Sequence, residues 1–295
     1  MSWQQWRLKI EPEQQELVEA LILDHGALSI TLQSATDERV LEPAPGEIKL
    51  WHKIQLIALF ESTTNTEQLE AQLSEHPLWP TNISSEWEVV ADQAWERAWM
   101  DDYEPMQFGE RLWICPTWAE PPQPDAVNLM LDPGLAFGSG THETTALCLE
   151  FLSRIMKGGE QVIDYGCGSG ILALAALKLG AKHVIGIDHD PQAIIASKSN
   201  LAVNGLDEDS LQVFLPEEFS GATADIVVAN ILAETLIELV VDIVKLIKPD
   251  AWLAMSGILE SQLDAVRDVY APWICFEEDL VKGDWGLLVG KRQTT

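Results

Sequence analysis

Asp164, three closely spaced glycines and, 22 residues beyond the first of them, Asp188 form a pattern able to hold a nucleoside. The segment Asp164-Tyr165-Gly166-Cys167-Gly168-Ser169-Gly170 continues a short apolar run, QVIDY, and leads directly into a helical one. Glycines in such a loop allow a tight turn and let the backbone come close to a ligand. The carboxylate after the next apolar run, HVIGID, is placed to accept hydrogen bonds from both hydroxyls of a ribose. Two features separate this loop from one built for pyrophosphate. Its spacing is G-x-G-x-G rather than G-x-G-x-x-G, and Asp164 brings negative charge beside it. The pattern therefore suits an adenosine-containing ligand that is cationic or zwitterionic.

Doubly wound sheets bind ligands outside the carboxyl ends of their strands, so the residues just after each apolar run carry most information. At the end of ADIVVA stand Asn230-Ile231-Leu232-Ala233, and propensity alone makes Asn230 a turn residue at a strand end. Upstream, the stretch Leu131 to Thr145, LDPGLAFGSGTHETT, concentrates glycines, a lone Phe137 and hydroxyls ahead of a helix, which is more than a connector needs. His142 in that stretch reads equally as a base and as a structural histidine, and is assigned no role.

An acid followed by x-G-x-G-x-G, a second acid after the next strand and a sheet ending in a hairpin resemble the class I S-adenosylmethionine-dependent methyltransferases. Many of these that act on planar nitrogens carry Asn-Pro-Pro-aromatic where this chain has Asn-Ile-Leu-Ala, a departure that argues against an adenine or glutamine target. Taken with the upstream loop and D-Y-G-C-G-S-G-I-L, the chain resembles the ribosomal protein L11 methyltransferase family across roughly Leu131 to Gly257. A W-E-R-x-W-M linker and an acidic N-terminal module extend the likeness over most of the chain. Ser139 stands where the family usually has Thr and Glu143 where it often has Pro; neither change removes the Thr145 hydroxyl.

The resemblance implies S-adenosyl-L-methionine as cofactor, no metal, and a pocket formed by Thr145, Gly166, Gly168 and Asp188. It further implies Asn230 near the methyl group, positioning the target amine, and Phe137 closing over cofactor and amine. The implied reaction is methyl transfer to the N-terminal α-amine and lysine ε-amines of the basic large-subunit protein L11, up to trimethylation. Such an amine must first be neutral. Deprotonating a lysine of pKa about 10.4 at pH 7 costs roughly 4 to 5 kcal/mol, against about 1 for an α-amino group of pKa about 7.7 to 8.0. The N-terminal amine is the easier substrate.

The elements that must position these residues follow from the apolar pattern. Beyond Leu131, QVIDY, HVIGID, LQVFL, ADIVVANI and AWLAMSGI read as strands. GILALAALKL, a run from Asp190-Pro191 to about Val203, and ETLIELVVDIVKLI read as helices. Apolar runs without alternation signal a parallel sheet covered on both faces. The last two strand-like runs flank a tight KGD turn, so the doubly wound, seven-stranded sheet expected of the family ends in a hairpin. Ahead of it, Trp3 to about Val90 runs βαββαβ, the signature of a small ferredoxin-like α+β layer, with Thr66 as a candidate cap of its second helix. DQAWERAWMDDY reads as a linker helix with Trp95 and Trp99 on one side. The expected organisation is an α+β substrate-recognition domain over 1–90, a linker helix over 91–104 and an α/β methyltransferase domain over 105–295.

Composition bounds the partners. The 295 residues carry 18 basic and 47 acidic side chains, a formal net charge of −29, with 47% hydrophobic residues. The charge is spread along the chain, −16 before Met130 and −13 after it, so it is no acidic tail. Such a field repels phosphate backbones and anionic lipid and favours a basic partner. Direct nucleic-acid and membrane binding are therefore not expected, and a cytoplasmic monomer is. Cys115, Cys148, Cys167 and Cys275 lie far apart, without a C-x-x-C pair, and are expected to be buried free thiols rather than zinc ligands or disulfides. Three other classes compete: an RNA methyltransferase, opposed by the acidity; a dinucleotide-dependent oxidoreductase, opposed by Asp164 and the glycine spacing; and a catalytically silent adapter, opposed by an intact set of pocket residues.

Overall fold

The computed structural model describes residues 3–36, 51–90, 103–132, 138 and 140–294. The chain divides into two compact units, Met1–Asp102 and Tyr103–Thr295. The expected linker helix falls on 91–102, outside the described residues; Tyr103 and Glu104, its last two positions, are irregular.

In the first unit the elements are β1 (Trp3–Ile10), α1 (Gln15–Asp24), β2 (Ser29–Ser34), β3 (Ile54–Glu61), α2 (Thr66–Ser74) and β4 (Ser84–Val90). The strands pair antiparallel in the order β2-β3-β1-β4. Along β3, Ile54, Leu56, Ala58 and Phe60 are buried while the residues between them are less so, the period-2 pattern of a sheet with one face on a core. Trp6 is the centre of that core, stacked between Trp79 and Trp87 at centroid distances of 5.8 and 5.1 Å. Thr66 does not cap α2. The cap is Asn65, whose Oδ1 accepts a hydrogen bond from the Gln68 amide at 3.1 Å. The Asn carboxamide oxygen reaches the third helical amide, and Thr66 becomes the first helical residue.

The second unit opens with a small sheet of β5 (Met106–Phe108), β6 (Leu112–Cys115) and β7 (Val127–Met130), with β5 antiparallel and β7 parallel to β6; the run GERLWICPTW reads as a strand in the sequence and holds β6, whereas β5 and β7 are not legible there. β5 and β7 have three and four residues, too few for an alternation to be read. The main sheet has seven strands in the order β10-β9-β8-β11-β12-β14-β13. Its parallel strands are β8 (Gln161–Tyr165), β9 (His183–Ile187), β10 (Leu211–Phe214), β11 (Ala224–Asn230) and β12 (Ile247–Leu259). The terminal hairpin joins β13 (Ile274–Lys282) to β14 (Trp285–Arg292), and β14 inserts antiparallel between β12 and β13. Successive β-strand residues alternate between two cores. Val162, Val184, Ile226 and Val228 pack on one face, and Ile163, Ile187, Val227 and Ala229 on the other. Both faces of the sheet are dry, which is why its strands read as unbroken apolar runs.

Among the described residues, six helices serve this sheet: α3 (Glu143–Ile155), α4 (Ile171–Lys178), α5 (Pro191–Val203), α6 (Ala233–Glu238), α7 (Val240–Lys245) and α8 (Leu263–Tyr270). Asp190 caps α5, its Oδ1 accepting from the Gln192 amide at 2.9 Å, with Pro191 in the first turn. The single helix read over ETLIELVVDIVKLI is broken at Leu239 into α6 and α7. The β-branched pair Val240-Val241 stands at the break, where crowding of χ1 weakens a continuous helix. Of the four free cysteines, Cys115, Cys148 and Cys167 are buried, but Cys275 is exposed, a correction to the expectation of four buried thiols. It lies on β13, the edge strand.

Candidate active site

The glycine loop turns between the end of β8 and the start of α4 with Gly166, Gly168 and Gly170 at φ +77°, +52° and +79°. An L side chain rarely adopts such angles. The loop is fastened to the next strand: the amides of Gly166 and Cys167 both donate to the Ile187 carbonyl, at 2.7 and 3.2 Å. From α5, the Ser197 hydroxyl donates to Gly168 O at 3.0 Å and Asn200 Nδ2 to Ser169 O at 2.9 Å. Ser169 in turn donates to Gly138 O at 2.6 Å, tying the upstream loop to the glycine loop. Neither Ser197 nor Asn200 was anticipated. Their three-residue spacing on one helix face was the available signal.

Asp188 is buried at the end of β9, and each of its oxygens is already oriented by one backbone donor. Gly168 N reaches Oδ2 at 2.8 Å and Asp190 N reaches Oδ1 at 3.0 Å. Each oxygen retains a further lone pair, so the carboxylate can still accept from two neighbouring hydroxyls, as a ribose presents. Asp164 is wholly buried, with Oδ2 accepting from the Ala173 amide at 3.0 Å and Oδ1 lacking any partner among the described residues. Burial raises its pKa to about 7, an effect opposed by the Ala173 hydrogen bond and reinforced by the charge of Asp188. An orphaned buried carboxylate favours positive charge nearby. The donor set, the glycine backbone and this carboxylate together fit an adenosine joined to a cationic centre.

On the other side of β8 lies Asn230, the last residue of β11. Its Nδ2 donates to the hydroxyl of Thr145 at 3.2 Å, and Thr145 is fully buried in the first turns of α3. With Nδ2 so committed, Oδ1 is the free acceptor of the carboxamide. His142 caps α3: its Nδ1 lies 2.7 Å from Thr144 Oγ1 and 3.3 Å from Thr144 N, and its ring meets Trp285 edge-on at 5.0 Å. Those contacts are structural. Phe137 lies outside the described residues. Of the residues singled out in the sequence, the fold thus joins Gly168 to Asp188 and Thr145 to Asn230 by direct hydrogen bonds, and sets Gly166 at the turn between them.

The sequence profile of the ribosomal protein L11 methyltransferases matches residues 2–293. The chain belongs to the ribosomal protein L11 methyltransferase family. It is 47% identical over 296 residues to the ribosomal protein L11 methyltransferase of Marinobacter nauticus, covering 99% of each chain. Its identity to the protein of that name from Vibrio cholerae is 48% over 294 residues, again covering 99% of each. Among solved structures, the ribosomal protein L11 methylase of Lactobacillus delbrueckii subsp. bulgaricus superposes with a TM-score of 0.60 at 34% identity, over 65% of this chain and 100% of the other. As a member of this family the protein is an S-adenosylmethionine-dependent protein methyltransferase with an α/β methyltransferase fold. S-adenosylmethionine supplies the activated methyl group when bound, and the glycine loop, Asp164 and Asp188 are the residues whose chemistry suits it.

Proposed function

We propose that this protein trimethylates ribosomal protein L11 on its N-terminal α-amine and on lysine side chains. The hydrogen bond from Asn230 to Thr145 carries the reading. It occupies Nδ2 and leaves Oδ1 as the carboxamide's acceptor for a target N–H, at the carboxyl edge of the sheet and one strand away from the glycine loop. Glycine-loop amides, Asp188 and Asp164 bind and orient the cofactor, Phe137 closes over it, and Asn230 Oδ1 accepts from the incoming amine. The leaving group is already activated, so orientation supplies most of the acceleration, and aligned reactants are worth about 7 to 11 kcal/mol. The amine loses its proton before transfer, to solvent or to an unassigned base, which the α-amine does far more readily than lysine.

In this reading residues 1–90 recognise L11, and the segment 91–104 lets that unit present several amines to one fixed site, raising their effective concentration without adding contacts at the chemistry. The acidity of both chain halves suits a basic partner, taken up by a cytoplasmic monomer as free protein rather than on RNA. No helix among the described residues is long and apolar enough to cross a membrane. The test is incubation with methyl-labelled S-adenosylmethionine and L11, or bare ribosomal RNA, followed by mass spectrometry. Label is expected on L11 at its N-terminus and lysines, in mono-, di- and trimethyl forms. Removing residues 1–90 should abolish L11 labelling while cofactor binding persists. Label on RNA, or undiminished labelling of L11 by the truncated protein, would overturn the corresponding part of the proposal.

A further inference from the structure

Resting on that reading, we infer that the Ser256–Gly257 bulge of β12 is a positioning device for Asn230, with Gly257 and Ser256 as positioning residues in methyl transfer. Four observations converge on it. In the parallel pairing of β11 with β12, Asn230 lies opposite Ser256. On the other side of β12 the register slips between Met255, paired with Leu288, and Ile258, paired with Gly286, so one extra residue is accommodated at Ser256–Gly257. Bulges of this kind re-aim the strand locally and gather near active sites. Gly257 has φ +81°, and a Cβ built on it would overlap the backbone of Ile231: it would meet the carbonyl oxygen directly, the carbonyl carbon at 2.7 Å and the nitrogen at 3.0 Å. The bulge is itself anchored, because the fully buried Ser256 hydroxyl donates to Gly286 O at 2.9 Å.

Ile231 is gripped from the opposite direction as well. A Cβ on Gly166 would run into its Cγ2. Ile231 therefore passes between two residues without side chains, its own side chain against the one in the cofactor loop and its backbone against the one in the bulge. Its place is set by side-chain packing on one side and backbone packing on the other. Any side chain at 257 must push the Ile231 backbone away, and Asn230 moves with it, off the 3.2 Å contact with Thr145 that orients the carboxamide. Because the clash is with backbone atoms, no trimming of the Ile231 side chain can relieve it.

The test is a double-mutant cycle with a readout that a merely structural glycine would not move. Gly257→Ala is expected to lower kcat for L11 methylation by roughly 100-fold, the scale of a misplacement of about 1 Å, with the KM for L11 and the Kd for S-adenosylmethionine holding. Added to Asn230→Ala, the same change should cause no further loss, since the group it acts through is gone. Ser256→Ala, a milder variant for the case in which Gly257→Ala does not fold, should lower kcat roughly fivefold, as expected for one lost hydrogen bond, and again only when Asn230 is present. A second readout needs no substrate: the side-chain amide NMR signals of Asn230, assigned by their absence in Asn230→Ala, should shift in Ser256→Ala and Gly257→Ala as they do in Thr145→Val. Losses that multiply with Asn230→Ala, or Asn230 amide signals left in place by both substitutions, overturn the inference. A wild-type protein that leaves L11 unmethylated overturns the proposed function instead, and the amide signals still decide this point.

Discussion

Asp164 is a carboxylate whose surroundings differ sharply from water: it is fully buried at the end of β8. Its folded-state pKa of about 7 lies above the ordinary carboxylate value of 3.8. Between those two values the unfolded chain has released its proton and the folded protein has not, so this group makes the protein progressively less stable as pH rises from about 4 to about 7, with no further change above. Asp164→Asn should remove that slope and leave the free protein more stable than wild type at pH 8, as read by thermal unfolding across pH 4 to 8. The same substitution should weaken S-adenosylmethionine at pH 8, because the ionised carboxylate is what favours a cationic ligand. Wild-type affinity should fall as pH drops through about 7, and that of the Asn variant should not. A variant with wild-type pH dependence in both measurements would remove Asp164 from the account.

At the scale of elements, the face of the main sheet opposite α3 depends on a polar contact between short helices. Tyr270, at the end of α8, is fully buried and donates its hydroxyl to the Leu236 carbonyl of α6 at 2.8 Å. The break at Leu239 leaves α6 only six residues long, too short to be stable except by packing and such contacts. Tyr270→Phe deletes the donor and leaves a buried carbonyl unpaired, which should cost about 1 to 3 kcal/mol of stability. Denaturant unfolding should report that loss, while L11 methylation at 25 °C stays at its wild-type rate, because the hydrogen bond joins α8 to α6 and involves neither Asn230 nor a glycine of the loop. A fall in turnover without a fall in stability would show that these helices reach the site after all.

The net charge of −29 acts at the scale of the whole molecule. The basic substrate proposed above would be drawn to such a surface over distances comparable to the Debye length, about 10 Å at 0.1 M salt and about 3 Å at 1 M. Raising ionic strength over that range should therefore lower kcat/KM for L11 steeply while leaving kcat at saturating L11 nearly constant. Steady-state assays at several salt concentrations measure both at once, and a salt-independent kcat/KM would show that the acidic surface serves solubility alone.

Much of the site was legible before folding, for a physical reason. A glycine loop that must turn tightly, an acid that must follow a strand and a Pro-led helix with an Asp cap are local requirements, so Asp164, Gly166, Gly168, Asp188 and Asp190-Pro191 declare themselves by spacing. The parallel sheet declares itself equally, since strands dry on both faces must be apolar throughout. Distances between remote segments are another matter. That Asn230 and Thr145, 85 positions apart, share a hydrogen bond follows from strand order and from how α3 lies on the sheet. The same holds for Ser197 and Asn200 bracing the glycine loop, for the short strands β5 and β7, and for Leu239 dividing one apolar stretch into two helices. Propensity alone made Asn230 a turn residue and left Gly257 inside the strand-like run AWLAMSGI. Only tertiary packing brings the backbone of Ile231 against Gly257 and makes a missing side chain on one strand a condition for placing a carboxamide on the next.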